Sequence, residues 1–483
     1  MAGLRILSIT SEIFPLVKTG GLADVAGALP LALAGLDCEM VSLVPGYPAV
    51  MEALSGRRRV HDFADLFGGP ARLWRAKAGP LELYVLDGAH LYQRKGNPYL
   101  GPDGLDWPDN AQRFAALGFV GAAIGRGLDP KFLPDVVHAH DWQAGLAPVY
   151  LHYGAPPRPK TVITVHNLAF QGRFDAALLA SLRLPPEAFT MEGVEYFGGI
   201  GFLKGALAHS DAITTVSPTY AVEILGSEAG MGLDGLLRQR AGALHGILNG
   251  LDGEAWNPET DVHLAARYKR AVMARARAHN KLALQRRLGL AADPHALLLG
   301  VVSRLSEQKG LDLLLEAMAD FADSPVQLAL LGSGDPQIQQ GFARLAAGAP
   351  QRYACSFSYD EPLAHMIQGG SDAFLVPSRF EPCGLTQLAA LRYGAIPVVA
   401  HVGGLADTVI DANAAALQAG VATGVAFSPV TRDALSAALR RTLALYRQPK
   451  IWRKLQANGM VADFSWEQPA RQYAALYRHL VAA

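Results

Sequence analysis

The segment VVSRLSEQKG (Val301–Gly310) carries two cations, Arg304 and Lys309, five residues apart. It continues the apolar run LLLGVV (Leu297–Val302), which is typical of a buried strand. We therefore expect both cations in the loop and first helical turn beyond the carboxyl end of that strand.

A second apolar run, DAFLVP (Asp372–Pro377), precedes the segment SRFEPCGLTQL (Ser378–Leu388). In it the acid Glu381 precedes Gly384–Thr386, whose backbone N–H groups would open a helix. Two fixed cations and a helix N-terminus together favour a diphosphate, and a neighbouring acid favours hydroxyl groups on the same ligand. The two segments together predict a site for a sugar nucleotide.

Composition narrows the class of protein. A chain of 483 residues with 50% hydrophobic and 18% charged residues is expected to fold into two globular domains. Lys+Arg and Asp+Glu both number 43, which argues against nucleic-acid or anionic-membrane partners. Cys38, Cys355 and Cys383 form no CxxC pair, so we expect neither zinc nor disulfides, and a cytoplasmic location.

Short apolar runs alternate with helical stretches, which predicts two α/β domains with doubly wound parallel sheets. The expected domains are residues 1–243 and 244–460, with a C-terminal helix in 461–483. The predicted strands are LRILSIT (4–10), EMVSLVP (39–45), LELYVLD (81–87), DVVHAHD (135–141), TVITVHN (161–167) and AITTVSP (212–218) in the first half, then GILNGLD (246–252), LLLGVVS (297–303), VQLALLGSG (326–334), DAFLVPS (372–378), IPVVAH (396–401) and GVAFSP (424–429) in the second.

The segment KTGGLADV (Lys18–Val25) places Gly20 and Gly21 behind a lysine and before a helix. Glycines let backbone N–H groups approach a phosphate closely, and the lysine adds a mobile charge. The alternative is an ordinary strand–helix turn with Lys18 exposed. The cations of the second half favour the phosphate interpretation.

Polar residues also end two strands of the first half. His166 and Asn167 close one strand and are candidates for sugar hydroxyls, although a structural histidine is the usual alternative. His138 and His140 should face one side of the other strand, without a third ligand that would indicate a metal. Asp141 could either cap the following helix or bind a ligand.

Three further features are weaker. Gly332-Ser-Gly334 lacks the third glycine of a dinucleotide fingerprint, so it argues little for NAD. Tyr359 could stack on a nucleobase or be an ordinary half-buried tyrosine. Gly403-Gly404 resembles the KTGGLAD turn and is expected to be structural, as is the thiol of Cys383.

Seven motifs give the chain a resemblance to bacterial glycogen synthases and plant starch synthases. They extend over nearly the whole chain and occur in the order of that family. They are KTGGLADV (18–25), HAHDW (138–142), HNLAFQG (166–172), GILNGLD (246–252), SRLSEQKGLDLL (303–314), RFEPCGLTQL (379–388) and GGLADTV (403–409).

The resemblance implies the GT-B fold, with two Rossmann-like domains facing a deep cleft and the last helix returning to the first domain. It implies transfer of glucose from ADP-glucose to an α-1,4-glucan, with the nucleotide on the C-terminal domain and the glucan on the N-terminal one. The implied catalytic residues are Lys18, Asp141, His166, Arg304, Lys309 and Glu381. Those implied for the nucleotide sugar are Gly20, Gly21, Asp24, Asn249, Tyr359, Cys383, Gly384, Leu385 and Thr386, and those for the acceptor are Tyr99 and Asn167.

The family match also bears on mechanism. Related retaining transferases often have a second acid eight residues after the first, but here that position is Ala389. Glu381 is then the acid of that segment, and no carboxylate is placed for a double displacement. We expect same-face attack, with no metal ion and no pyridoxal phosphate.

Three other functions compete with this interpretation. A glycogen phosphorylase would need a lysine that holds pyridoxal phosphate, and an NAD dehydrogenase has little support in the motifs. A glucan- or nucleotide-binding protein without activity could share the same residues. Release of ADP from ADP-glucose only in the presence of glycogen would separate an enzyme from a binding module.

Overall fold

A computed structural model describes residues 3–156, 158–358 and 360–482 of the chain. The chain divides into two compact units. Unit 1 contains Met1–Gly250 and Trp466–Ala483, and unit 2 contains Leu251–Ser465. Both divisions lie a few residues beyond those expected from the sequence at 243/244 and 460/461.

Unit 1 is built on a sheet that has nine strands among the described residues, in the order β12-β11-β7-β6-β1-β2-β5-β4-β3. The pairs from β12 to β5 are parallel, and β4 and β3 extend the sheet as antiparallel strands. A small separate sheet has the order β8-β10-β9. The strands are β1 (Leu4–Ile9), β2 (Cys38–Pro45), β3 (Ser55–Phe63), β4 (Ala71–Ala78), β5 (Leu81–Asp87), β6 (Val136–His140), β7 (Lys160–Val165), β8 (Arg173–Asp175), β9 (Glu195–Tyr196), β10 (Gly199–Gly201), β11 (Ala212–Thr215) and β12 (Leu244–Gly246).

Helices cover the parallel part of this sheet, and the core of unit 1 lies between these helices and the sheet. They bury apolar strand residues such as Ile9, Leu43 and Val137 completely. The helices are α1 (Gly21–Ala34), α2 (Pro48–Ala53), α3 (Ala89–Tyr92), α4 (Asn110–Gly125), α5 (Asp141–Ala144), α6 (Leu146–His152), α7 (Phe202–His209), α8 (Pro218–Glu223) and α9 (Asp234–Gln239).

Two features of unit 1 differ from the sequence-based expectation. Strands β3 and β4, which are antiparallel and carry many charged residues, were not predicted from the sequence. GILNGLD was assigned to the second half, and that is wrong, because β12 ends at Gly246 and pairs with β11 of the first sheet. The chain leaves unit 1 only after Gly250.

Unit 2 contains a sheet of six parallel strands among the described residues, ordered β15-β14-β13-β16-β17-β18. The chain starts at β13, adds strands on one side, and then returns to add β16 on the other. This is the doubly wound Rossmann order, in which ligands bind where the strand order reverses. Its elements are α10 (Met273–Leu288), β13 (Leu297–Val302), α11 (Leu311–Ala317), β14 (Val326–Leu331), α12 (Pro336–Gly348), β15 (Tyr353–Ser356), α13 (Glu361–Gly370), β16 (Ala373–Val376), α14 (Thr386–Tyr393), β17 (Ile396–Ala400), α15 (Gly403–Thr408), α16 (Ala414–Ala419), β18 (Val425–Phe427), α17 (Arg432–Tyr446) and α18 (Pro449–Val461).

The last helix, α19 (Glu467–Ala482), belongs to unit 1 and packs on α1. Tyr473 and Tyr477 are fully buried in a cluster with Val25 and Leu29 of α1. The Tyr477 hydroxyl also lies 2.8 Å from Nδ1 of His138 in the sheet. No described helix combines the length and the apolar character needed to cross a membrane.

Gly310 allows the β13–α11 loop to meet the end of β16. Its φ is +65°, and a Cβ added there would lie 1.9 Å from the carbonyl oxygen of Pro377. Gly289 has a similar φ of +71° but no atom within 4 Å of an added Cβ. The two glycines therefore separate the conformational requirement from the steric one.

We predict that Gly289→Ala costs about 1 kcal/mol of unfolding free energy for the left-handed backbone alone. Gly310→Ala should cost about 1–3 kcal/mol more, because the Pro377 carbonyl must move. Urea unfolding of both variants checks this. Equal losses would show that the close approach at Gly310 carries no penalty of its own.

Candidate functional site

In unit 2 the loops after β13 and β16 bring Lys309 and Glu381 together. The Lys309 Nζ lies 2.6 Å from Oε2 of Glu381, and Ser378 Oγ donates to the same oxygen at 2.8 Å. Glu381 is only 7% exposed. Its other oxygen, Oε1, has no hydrogen-bond partner among the described residues, and it can accept a ligand hydroxyl.

Arg379 fixes these two loops to each other. Its guanidinium makes two hydrogen bonds to the Asp312 carboxylate, of 2.7 and 2.6 Å, and its backbone N–H donates to the Gln308 carbonyl at 2.9 Å. Such a bidentate pair restricts both partners. Sequence analysis missed this contact, because nothing local in SRFEP indicates a partner 67 residues away.

Glycine pairs after β14 and β17 allow neighbouring loops to pack against the two site loops. A Cβ on Gly332 would lie 1.8 Å from the Ser303 carbonyl oxygen, and one on Gly404 would lie 2.2 Å from that of Cys383. The Gly404 N–H also donates to the Glu381 carbonyl at 3.1 Å. Close packing therefore explains Gly332 and Gly404, and a structural role was expected for the Gly403-Gly404 pair.

The segment after Glu381 presents backbone donors. Helix α14 begins at Thr386, and the N–H groups of Gly384, Leu385 and Thr386 donate to no other described residue. Gly384 has a φ of +71°, and the side chain of Gln387 holds its carbonyl at 2.9 Å. This end of α14 can receive an anion.

Arg304 follows β13 and is exposed. Its guanidinium forms no ion pair or hydrogen bond within the part of the chain that the structure describes, and it remains available to a ligand. Lys309 lies in the turn just before α11. The structure thus brings Lys309 and Glu381 into contact at the reversal point of the sheet, and none of the residues it describes pairs with the Arg304 guanidinium.

In unit 1 the strand order reverses between β1 and β6, and Asp141 follows β6. Its φ is +53°, and its Oδ1 accepts the backbone N–H of His166 at 2.7 Å. The N-cap of α5 is His140, so the capping role considered for Asp141 is wrong. Burial raises the pKa of Asp141 to about 7; backbone N–H groups of His166 and Asn167 oppose this shift and the charge of Glu12 adds to it.

His138, His140 and His166 form a buried group on β6 and at the end of β7. Nδ1 of His140 lies 3.0 Å from Nε2 of His166, while both ring nitrogens of His138 contact the hydroxyls of Tyr477 and Thr164, at 2.8 and 2.6 Å. Burial lowers the pKa of all three, that of His140 to about 3, so their rings are neutral. The His138 nitrogens are thus engaged with the protein itself.

The KTGG loop has a different arrangement from the one expected. Lys18 Nζ pairs with Asp24 Oδ1 at 2.7 Å. The Gly20 N–H, expected to face a phosphate, donates instead to Oε2 of Glu12 at 3.3 Å. Helix α1 begins at Gly21. Sequence analysis missed Glu12, although an acid close to the end of the first strand was a visible signal.

The remaining candidates lie around these groups. The Tyr99 hydroxyl donates to Oε1 of Glu12. The Asn167 side chain accepts the N–H of Ala169 at 3.0 Å. Asn249 is buried, and its Oδ1 has no hydrogen-bond partner among the described residues. Tyr359 lies outside the described residues.

Known proteins of one enzyme family are similar to this chain over nearly its whole length. Residues 5–239 match the family described as starch synthase catalytic domain, and residues 289–458 match glycosyl transferases group 1. The glycogen synthase of Rhodopseudomonas palustris is 61% identical over 482 residues, covering 100% of both chains, and that of Acidiphilium cryptum is 60% identical over 477 residues, covering 99% of each.

Two solved structures share the fold of this chain. The catalytic domain of starch synthase IV from Arabidopsis thaliana, bound to ADP and acarbose, has a TM-score of 0.89 at 31% identity, covering 100% of both chains. Sucrose-phosphate synthase from Thermosynechococcus elongatus has a TM-score of 0.61 at 19% identity, which shows a shared fold alone.

The protonation of Asp141 predicts a pH-dependent stability. Between its ordinary pKa of 3.8 and about 7, the native protein holds a proton that the unfolded chain has released. Raising the pH through this window therefore destabilises the native state, by up to about 1.4 kcal/mol per pH unit. Asp141→Asn keeps an oxygen for the His166 N–H and removes the titration.

We expect the unfolding free energy of the wild type to fall relative to Asp141→Asn from pH 5 to pH 8. Urea unfolding of both proteins at each pH measures the difference. A difference that is constant over this range would contradict the raised pKa.

Proposed function

Because the chain belongs to the glycogen and starch synthase family, glycosyltransferases with the two α/β domains of the GT-B fold, we propose that it elongates α-1,4-glucans. It transfers an α-glucosyl group from ADP-glucose to the non-reducing 4-OH of the glucan, with retention, and releases ADP. The observation that carries this proposal is the contact between Lys309 and Glu381 in the two loops that follow β13 and β16. Arg304 lies in the first of these loops, and its guanidinium has no partner among the described residues.

The proposed role of the unit 2 cations follows from the demanding step of the reaction. As the bond to ADP breaks, negative charge grows on the leaving phosphate. Lys309 and Arg304, with the N–H groups of Gly384–Thr386, stabilise that charge from positions fixed before the reaction. Glu381 uses Oε2 for Lys309 and Ser378 and offers Oε1 to a glucose hydroxyl.

Residues of unit 1 are assigned to the sugar and the phosphates. His166 and Asp141 contact the glucosyl group, and Asn249 offers its unpartnered Oδ1 to the donor sugar. Lys18 and the N-terminus of α1 at Gly21 approach the phosphates. Tyr99 and Asn167 act on the glucan acceptor. Tyr359 stacks on the adenine.

Retention is proposed to arise from same-face attack, with the departing phosphate oxygen accepting the proton of the acceptor hydroxyl. The proposal requires no metal ion, because lysine and arginine provide the positive charge at the leaving phosphate, and none of its steps uses pyridoxal phosphate. We further propose a cytoplasmic location, which suits three cysteines that form no disulfide among the described residues.

The decisive assay incubates the protein with ADP-glucose and follows ADP release with and without glycogen. Release that depends on glycogen, together with a longer glucan product, supports the proposal. Binding of ADP-glucose without turnover would indicate a binding protein instead. Replacing ADP-glucose by UDP-glucose in the same assay tests the choice of base.

We predict that Lys309→Ala lowers kcat/KM for ADP-glucose roughly 10²–10³-fold, the usual loss when one fixed donor to a developing charge is removed. Lys269→Ala, which removes an exposed lysine of the same unit, is the matched control. Steady-state kinetics and circular dichroism of both variants provide the test. Near-normal turnover by a folded Lys309→Ala protein would remove this lysine from catalysis.

A further inference from the structure

Glu12 is a buried acid that none of the assigned roles uses. It is 3% exposed and lies just beyond β1, beside the reversal point of the unit 1 sheet. A buried carboxylate is costly unless hydrogen bonds compensate it. Its partners therefore indicate what it holds in place.

The partners of Glu12 come from two separate segments. From the KTGG loop, the Thr19 N–H and the Gly20 N–H donate to Oε2, the latter at 3.3 Å, and the Thr19 hydroxyl donates to Oε1 at 2.5 Å. From the loop before α4, the Tyr99 hydroxyl donates to Oε1. No described cation pairs with Glu12, so neutral donors alone hold its charge.

These hydrogen bonds restrict the position of the Lys18 backbone. Lys18 immediately precedes the two residues whose N–H groups Glu12 accepts, and its side chain is exposed and 2.7 Å from Asp24. The side chain of a lysine that precedes a helix can adopt many conformations. Here the Glu12 carboxylate restricts the backbone that carries it, through its bonds to the N–H groups of Thr19 and Gly20. Bonds to a charged acceptor are roughly twice as strong as neutral ones.

We infer that Glu12 is a positioning residue, which holds the Lys18 loop for the donor phosphates and links that loop to the acceptor residue Tyr99. This inference rests on the proposed function for its kinetic part. The linkage means that Tyr99 affects use of the donor as well as of the glucan. A loss of the Tyr99 hydroxyl removes one of the donors that keep the carboxylate in place.

Four variants test the inference. Glu12→Gln keeps the size of the side chain and removes the charge. Thr19→Val removes one donor at an exposed position and should leave the fold intact even if Glu12→Gln does not. Tyr99→Phe breaks the link to the other loop. Ser11→Ala is the control, since Ser11 Oγ contacts the Tyr99 hydroxyl at 2.8 Å but not Glu12.

The first measurement is hydrogen–deuterium exchange of the peptide 18–24 without any substrate. We expect exchange at Thr19 and Gly20 to rise about tenfold in Glu12→Gln and to rise in Tyr99→Phe, with Ser11→Ala like the wild type. Unchanged exchange in Glu12→Gln would overturn the anchoring role. This result is independent of activity, so it stands or fails separately from the proposed function.

The second measurement is kcat/KM for ADP-glucose. We expect about a tenfold fall in Glu12→Gln and a smaller fall in Thr19→Val and Tyr99→Phe. Adding Lys18→Ala to Glu12→Gln should then cost less than Lys18→Ala costs in the wild type. Two outcomes would overturn the inference and show that Glu12 acts on the substrate directly. One is that the losses of Glu12→Gln and Lys18→Ala add up in the double variant. The other is that Thr19→Val has a normal kcat/KM while that of Glu12→Gln is low.

Discussion

The strand order of a doubly wound sheet is the constraint on which both candidate sites depend. Lys309 and Glu381 are 72 residues apart in sequence and 2.6 Å apart in space because β13 and β16 are neighbours at the reversal point. The connections from these two strands leave in opposite directions, which opens a crevice at their carboxyl ends. Close packing at Gly310 and the Arg379–Asp312 pair then fix the two loops that line it.

Both units place polar groups where the strand order of the sheet reverses, but the chemistry of these groups differs. At the reversal point of unit 2 the prominent groups are cations and backbone donors, suited to phosphate. At that of unit 1 they are Glu12 and Asp141 with the neutral rings of His140 and His166. Burial without a cation raises the pKa of Asp141, and it keeps the histidines unprotonated. The neutral rings of His140 and His166 suit a sugar, whose hydroxyls need hydrogen bonds rather than charge.

Much of this architecture was predictable from the sequence. Buried parallel strands are continuous apolar runs, so LLLGVV and DAFLVP indicated both the second sheet and the loops that follow it. Strands β3 and β4 were missed because an antiparallel edge exposed to water tolerates arginines such as Arg59, which interrupt the apolar pattern of a buried strand.

The contacts that hold the site were less accessible to sequence analysis. Arg379 binds Asp312, a residue 67 positions away that only the tertiary fold brings into contact with it. Asp141 follows a strand and precedes a helix, which normally indicates a cap, but its left-handed backbone turns the carboxylate towards β7 instead. The GG pair of KTGG correctly indicated a helix start, while the partner of Gly20 proved to be an acid of the protein itself.

The return of α19 to unit 1 has a consequence for synthesis on the ribosome. Trp466, Tyr473 and Tyr477 complete the cluster that covers Ile6 and Val25, so unit 1 lacks a section of its core until α19 has been made. Unit 2 is continuous and can fold while translation proceeds. A premature stop codon before α19 would therefore remove part of the core of unit 1, which is made first, and leave unit 2 intact.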